Sequence, residues 1–186
     1  MNPFPHRGDP NMLAVGMTGV KMGDRLLQIG CAHGGRLAAV SAKVGLSGQA
    51  VAVVPDEASA ARARKGAAQA GVLVEVEIGP LTRLRAADGA FDLAVIDETG
   101  GLVAAMRAAD RVATLRALFR VLRPGGRVIV ISALPRGGLG ALLTRAPSGP
   151  GFDVSPSLQA EGFKSVRVLA EREGLRFVEG VKGRQG

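Results

Sequence analysis

The sequence predicts an α/β protein built on a doubly wound, mostly parallel sheet. Three observations predict it. Short apolar runs alternate with helix-like stretches along the 186 residues. The first of those runs ends in a glycine turn, and the fifth follows Pro124-Gly125-Gly126. The last two runs are separated by so short a turn that they must pair antiparallel, as a hairpin.

The elements follow in order. Residues 1–22 form an N-terminal segment, polar with three prolines at first and then helical. Arg25 to Gly30 is a short apolar strand ending in glycine. Gly35 to Val44 is a helix whose apolar side is Leu37, Val40 and Val44, at spacings of three and four. Gln49 to Val54 is a second strand. Asp56 to Ala70 is an alanine-rich helix that opens with Asp56 and Glu57 and carries Arg62, Arg64 and Lys65 later, a charge order that suits the helix dipole. Gly71 ends it. Leu73 to Ile78 and Phe91 to Asp97 are the third and fourth strands. Asp110 to Leu122 is the clearest helix, with Val112, Leu115, Phe119 and Leu122 on one face and Arg116, Arg120 and Arg123 on another. Pro124-Gly125-Gly126 stops it, and Val128 to Ile131 is a fifth strand, apolar throughout as a central parallel strand should be. Pro135 to Pro156 is an excursion rich in glycine and proline, with a short helix near Leu139 to Thr144. A further short helix spans Ser157 to Glu161. Lys164 to Leu169 and Leu175 to Val181 are the closing strands, joined at Glu173-Gly174.

Composition narrows the function classes. Hydrophobic residues make up 47% and charged residues 22%, ordinary for a globular domain. No apolar run reaches the ~18 residues that span a bilayer, and the N-terminus lacks the apolar core of a signal peptide. The expectation is a cytoplasmic protein. The single cysteine, Cys31, forbids an intrachain disulfide. One cysteine and two histidines are too few for a zinc site, so no metal is expected. The net charge of +8 would suit a nucleic acid, yet the bases are spread along the chain, and there is no tryptophan or tyrosine to stack on single strands.

In a doubly wound sheet, ligands bind at the carboxyl ends of the strands. The candidate site is therefore Gly30 to Gly35, Val54 to Asp56, Gly79 to Leu81 and Asp97 to Thr99. A nicotinamide-type G-x-G-x-x-G is absent, because Cys31-Ala32-His33 follows Gly30.

Four stretches carry a resemblance. Gly23-Asp-Arg-Leu-Leu-Gln-Ile-Gly-Cys-Ala-His-Gly34 resembles the first motif of class I S-adenosylmethionine-dependent methyltransferases. Ala87-Asp-Gly-Ala-Phe-Asp-Leu-Ala-Val-Ile96 is similar to their fourth strand with its lead-in. Leu118-Phe-Arg-Val-Leu-Arg-Pro-Gly-Gly-Arg-Val-Ile-Val130 resembles their helix, Pro-Gly-Gly turn and fifth strand almost residue for residue. Glu161-Gly-Phe163, with the two strands after it, fits their C-terminal end. The resemblance implies a Rossmann-like methyltransferase fold with a mostly parallel seven-stranded sheet, one such domain over residues 23–186, and S-adenosylmethionine as cofactor.

It also implies a cofactor-binding set: Gln28, Gly30, Cys31, Ala32, Gly34, Val54, Pro55, Asp56, Pro80 and Leu81. That set departs from the family's pattern. Ala32 takes the place of the middle glycine, where a backbone approach leaves little room. The three acids that usually complete the site fall at Gln28, Val54 and Pro80, none of them acidic. Asp56 lies two residues past the ribose position and reaches it only if the turn is rearranged. A hydrogen bond to a charged group contributes about 1.5–3 kcal/mol. Loss of the ribose carboxylate alone therefore weakens binding roughly 10- to 100-fold.

Among individual side chains, Cys31 reads as packing within the glycine turn. His33 is a candidate general base. Asp97 is either a substrate-side acceptor or the cap of the next helix. Methyl transfer is an in-line displacement governed by alignment, so it needs no dedicated acid–base pair. The leading reading is a methyltransferase of unidentified substrate with an atypical cofactor site. Two others stay open: a non-catalytic member of the fold that binds or assembles with a protein partner, and a basic accessory protein on RNA or a ribonucleoprotein.

Overall fold

The computed structural model describes residues 10–134 and 152–184. The helix expected near Leu139 to Thr144 lies outside them, as does most of the Pro135 to Pro156 excursion. The elements in chain order are α1 (Pro10–Thr18), β1 (Arg25–Ile29), α2 (Gly34–Ala42), β2 (Gln49–Val54), α3 (Glu57–Ala70), β3 (Glu75–Ile78), β4 (Phe91–Asp97), α4 (Ala108–Val121), β5 (Leu122–Ala133), α5 (Ser155–Ala160), β6 (Lys164–Arg172) and β7 (Leu175–Val181). One seven-stranded sheet runs in the order β3-β2-β1-β4-β5-β7-β6. β1 to β5 are parallel, and β7 pairs antiparallel with both β5 and β6. This is the mostly parallel Rossmann-like sheet with an antiparallel C-terminal hairpin that the sequence predicts.

Alternate residues of each strand feed two cores, as the two-residue period of a strand requires. Leu26, Leu93, Val95, Ile129, Ile131 and Phe177 pack against α1 and α2, and Ala52 and Val54 pack against α2 and α3. Leu27, Ile29, Val51, Val53, Ile96, Val128 and Val130 pack on the opposite face against α4, α5 and the chain between β3 and β4. Both faces are covered, so the inner strands are apolar at nearly every position.

Helix ends and the end of β1 differ from expectation by one or two residues, and three further strands differ by two or more. β3 begins at Glu75 rather than Leu73, because Leu73 is 84% exposed and lies outside the ladder. β5 begins at Leu122 rather than Val128: fully buried Leu122 already pairs with Phe91, and the Pro124-Gly125-Gly126 turn bulges out before Arg127 resumes pairing with Leu93. The bulge is held by reciprocal bonds from Gly125 N to Lys182 O and from Lys182 N to Gly126 O, both 2.8 Å. β6 runs on to Arg172, because β7 stays paired with it up to the turn. Glu173 and Gly174 both take positive φ there, as a tight hairpin turn demands. Lys182 also caps α4: its Nζ donates to the carbonyls of Leu122 at 2.6 Å and Phe119 at 2.7 Å, where a helix C-terminus favours a cation.

The glycine turn after β1 rests closely on α3, backbone against backbone at Gly34 and Gly66. A Cβ on Gly34 would lie 2.2 Å from the carbonyl oxygen of Arg62, and one on Gly66 would lie 2.3 Å from the backbone of Gly34. Alanine at Gly66 gains up to about 1 kcal/mol of helix propensity, yet the contact forbids it. We expect Gly66→Ala to destabilise the protein by about 1–3 kcal/mol, as overpacking does, seen as a lower urea midpoint at unchanged m.

Candidate active site

The four predicted loops converge at the carboxyl ends of β1, β2, β3 and β4. The chain leaves β1 through Gly30, at φ +76. A Cβ there would lie 2.5 Å from Leu102 Cδ2, so glycine is required both for the backbone angle and for the leucine above it. Gln28, buried, turns back and donates from Nε2 to Gly30 O at 3.0 Å. At the position where an acid is usual, this side chain braces the turn from inside. Cys31 is buried, and its carbonyl accepts from Arg62 Nε at 3.0 Å. Burial pushes the Cys31 thiol up to about 11.

Asp97, at the end of β4, holds the turn in place. Its Oδ2 accepts from Ala32 N at 2.9 Å and from His33 N at 3.4 Å. Its Oδ1 accepts from Arg36 at 3.0 Å and from the Thr99 hydroxyl at 2.6 Å. The side chain is 1% exposed and that of Arg36 only 9%. A buried carboxylate is tolerated where a cation and several donors surround it, and this one has both. Asp97 is thus engaged on both oxygens in holding the turn. His33 is exposed at the N-terminus of α2 and makes no side-chain capping bond. The two candidates therefore sit on adjoining loops in opposite states, one locked and one open.

Two residues that the sequence reading passed over complete this region. Arg36 was masked by its place on a helix that reads as amphipathic; its Nε is buried with no partner among the described residues. Glu98, also buried, accepts from Val103 N at 2.5 Å and Ala104 N at 2.9 Å. It pins the 98–107 loop that lays Leu102 over Gly30. Burial raises the Glu98 carboxyl above its usual value, partly offset by those two amides. An acid directly after Asp97 was the one available signal, and its partners lie five and six residues on.

The ribose-side positions differ in kind. Val54 is fully buried and belongs to the core against α2 and α3. Asp56 is exposed and caps α3, accepting from Ser59 N at 2.7 Å; that bond chiefly holds its carboxyl below the usual value. Pro55 and Pro80 are exposed and Leu81 is buried. A cleft of about 360 Å³ opens between them, lined also by Leu102, Met106, Asp110 and Thr114. A larger cavity of about 550 Å³ lies at the other end of the sheet, among Ser41, Val44, Ala50, Val74 and Glu75. Its size does not make it the site. The first cleft lies at the carboxyl ends of β2 and β3, beside Asp110 in the first turn of α4 and under Leu102, the residue that lies over Gly30. Among the described residues no group of three or more His, Cys, Asp or Glu is placed to hold a metal ion, and no helix is long and apolar enough to cross a membrane.

A family model described as a methyltransferase domain matches residues 26–126, more than half of the chain, from β1 through the Pro-Gly-Gly bulge. The chain belongs to the class I S-adenosylmethionine-dependent methyltransferase family. Relatives by sequence are distant. The methyltransferase GfsG of Streptomyces halstedii is 26% identical over 160 residues, and the match takes in 86% of this chain but 55% of that protein. The chain thus spans little more than half the length of this curated relative. Among solved structures, a SAM-dependent methyltransferase from Aquifex aeolicus superposes with a TM-score of 0.69 at 20% identity, covering 94% of both chains. The [4+2]-cyclase SpnF gives a TM-score of 0.69 at 19% identity over 95% of this chain and 81% of its own. At such identities the likeness is one of fold. Within it, this methyltransferase-family protein has Gly30, Ala32 and Gly34 in the turn after β1, with Gln28, Val54 and Pro80 at or near the ends of β1, β2 and β3.

Two outcomes follow. Arg36→Met strips the cation from a buried carboxylate and should cost about 3–5 kcal/mol in urea unfolding. Cys31 at pH 8 should react with a disulfide reagent at least ~100-fold more slowly than a free thiol, since two pKa units remove that much thiolate. Denaturant should restore the rate.

Proposed function

We propose that this protein transfers a methyl group from S-adenosylmethionine to a small or surface-presented nucleophile held at the carboxyl edge of the sheet. The observation that carries the reading is the glycine turn itself: Gly30 at positive φ, clamped by Asp97 and Arg36 and opening beside an apolar cleft. The residues present fit the cofactor's apolar and backbone-held parts. Pro55, Pro80, Leu81 and Met106 offer apolar walls for a purine, and the unpartnered Nε of Arg36 beside the turn is a donor suited to an anionic group. They lack a carboxylate for the ribose hydroxyls, because Val54 is core and Asp56 is spent as a helix cap.

When bound, the cofactor supplies an activated methyl on a sulfonium. The protein's task is alignment and exclusion of water, so rigidity of the turn matters more than an acid–base pair. Asp97 serves as a positioning residue, acting through the amides of Ala32 and His33. His33, exposed on the same turn, is the side chain available to accept a proton from the nucleophile.

A second reading is favoured by Leu102, which lies over Gly30 where the cofactor's backbone contacts would form. It makes the protein a non-catalytic binding member of the fold.

Calorimetric titration with S-adenosylmethionine and S-adenosylhomocysteine separates them. Binding weaker than a micromolar site by at least about 10- to 100-fold is expected, since loss of the ribose carboxylate alone accounts for that much. Pro80→Asp restores an acid at an exposed position and should tighten binding about tenfold. Absence of heat to millimolar ligand in both proteins would support the non-catalytic reading.

A further inference from the structure

The sheet is covered unevenly. On the face of α4 and α5, the chain between β3 and β4, residues 79–90, forms no helix. There a groove of about 280 Å³ crosses β1, β2 and β3, floored by Leu27, Val51, Val53 and Phe91. Its outer rim is Glu75 and Glu77. Their register with Val51 and Val53 puts both carboxylates on the groove's side of the sheet. β3 is the edge strand, with no neighbour beyond it among the described residues.

Charge makes this rim unusual. The chain carries 24 Lys and Arg against 16 Asp and Glu, so carboxylates are the scarce partner. Every described carboxylate but three holds a hydrogen bond or ion pair. The three are Glu173, in the hairpin turn, and Glu75 and Glu77 side by side. Arg85, also at the groove, pairs with neither among the described residues. Two adjacent unpaired anions on an apolar groove, in a protein of net charge +8, mark a surface built for a cation.

We propose that this groove docks an amphipathic, cationic helix of a protein partner, with an apolar side chain in the groove and Lys or Arg over Glu75 and Glu77. A helix fits better than a strand. The rest of this face is covered by helices, and an added strand would lie beside β3 rather than over Val51 and Leu27. The two carboxylates, two residues apart on a strand, stand ~6.7 Å apart along it, close to the ~6 Å rise of four residues in a helix. Phosphate-bearing partners are repelled by the same pair. The inference is independent of cofactor binding.

The test is fluorescence anisotropy of a labelled amphipathic peptide, with leucines at i, i+3, i+4 and i+7 and lysines at i, i+4 spacing on its flank, titrated with the full chain. Saturable binding is expected, at least tenfold weaker for E75K/E77K and weaker again as salt rises. Both positions are at the sheet's edge, and circular dichroism checks that the variant folds. Failure to saturate, or equal affinity for wild type and E75K/E77K, would overturn the proposal. So would sedimentation showing a dimer that E75K/E77K dissolves, because the occupant would then be a second copy of this chain.

Discussion

The Asp97 carboxylate is the point on which the rest of the site depends. It lies at the end of a central strand, almost wholly out of water. A carboxylate buried there requires a cation and donors around it. Arg36 supplies the charge from the first turn of α2, Thr99 a hydroxyl, and the glycine turn two amides. One side chain thereby ties together β4, α2 and the glycine turn that follows β1. Loss of any of the four partners would leave a buried carboxylate less well satisfied, so all four bear on how the turn is held.

The fold was legible because parallel strands buried on both faces leave long apolar runs, and because glycine and proline mark where they stop. Gln49–Val54 and Phe91–Asp97 have the bounds that periodicity assigns them. The errors came where pairing overrides pattern: polar Pro124 to Gly126 sit inside β5, since Leu122 on their far side is already paired. The site was legible as loops and not as contacts. Nothing local in the sequence says that Asp97 will meet an arginine 61 residues earlier, or that Asp56 will spend itself on Ser59. Such partnerships are long-range or depend on a helix start, and residue type carries neither.

A shared fold leaves the reaction open. The same architecture is found in a methyltransferase from Aquifex aeolicus and in a [4+2]-cyclase. Chemistry therefore rests with the loops at the strand ends. Here those loops have moved their polar groups inward: Gln28 to Gly30 O, Asp97 to the turn, Glu98 to its own loop. The result is a rigid rim around a cleft with mostly apolar walls and few free charges.

The place of β7 has a consequence for synthesis. It is the last of the seven described strands in chain order, yet it lies between β5 and β6. Until residues 175–181 leave the ribosome, β5 has an open edge, and Ile129 and Ile131 lack the β7 residues that pack beside them. Unpaired apolar edges are sticky. The sheet therefore cannot close until residues 175–181 have been made, and the partly built sheet carries that exposed edge until then.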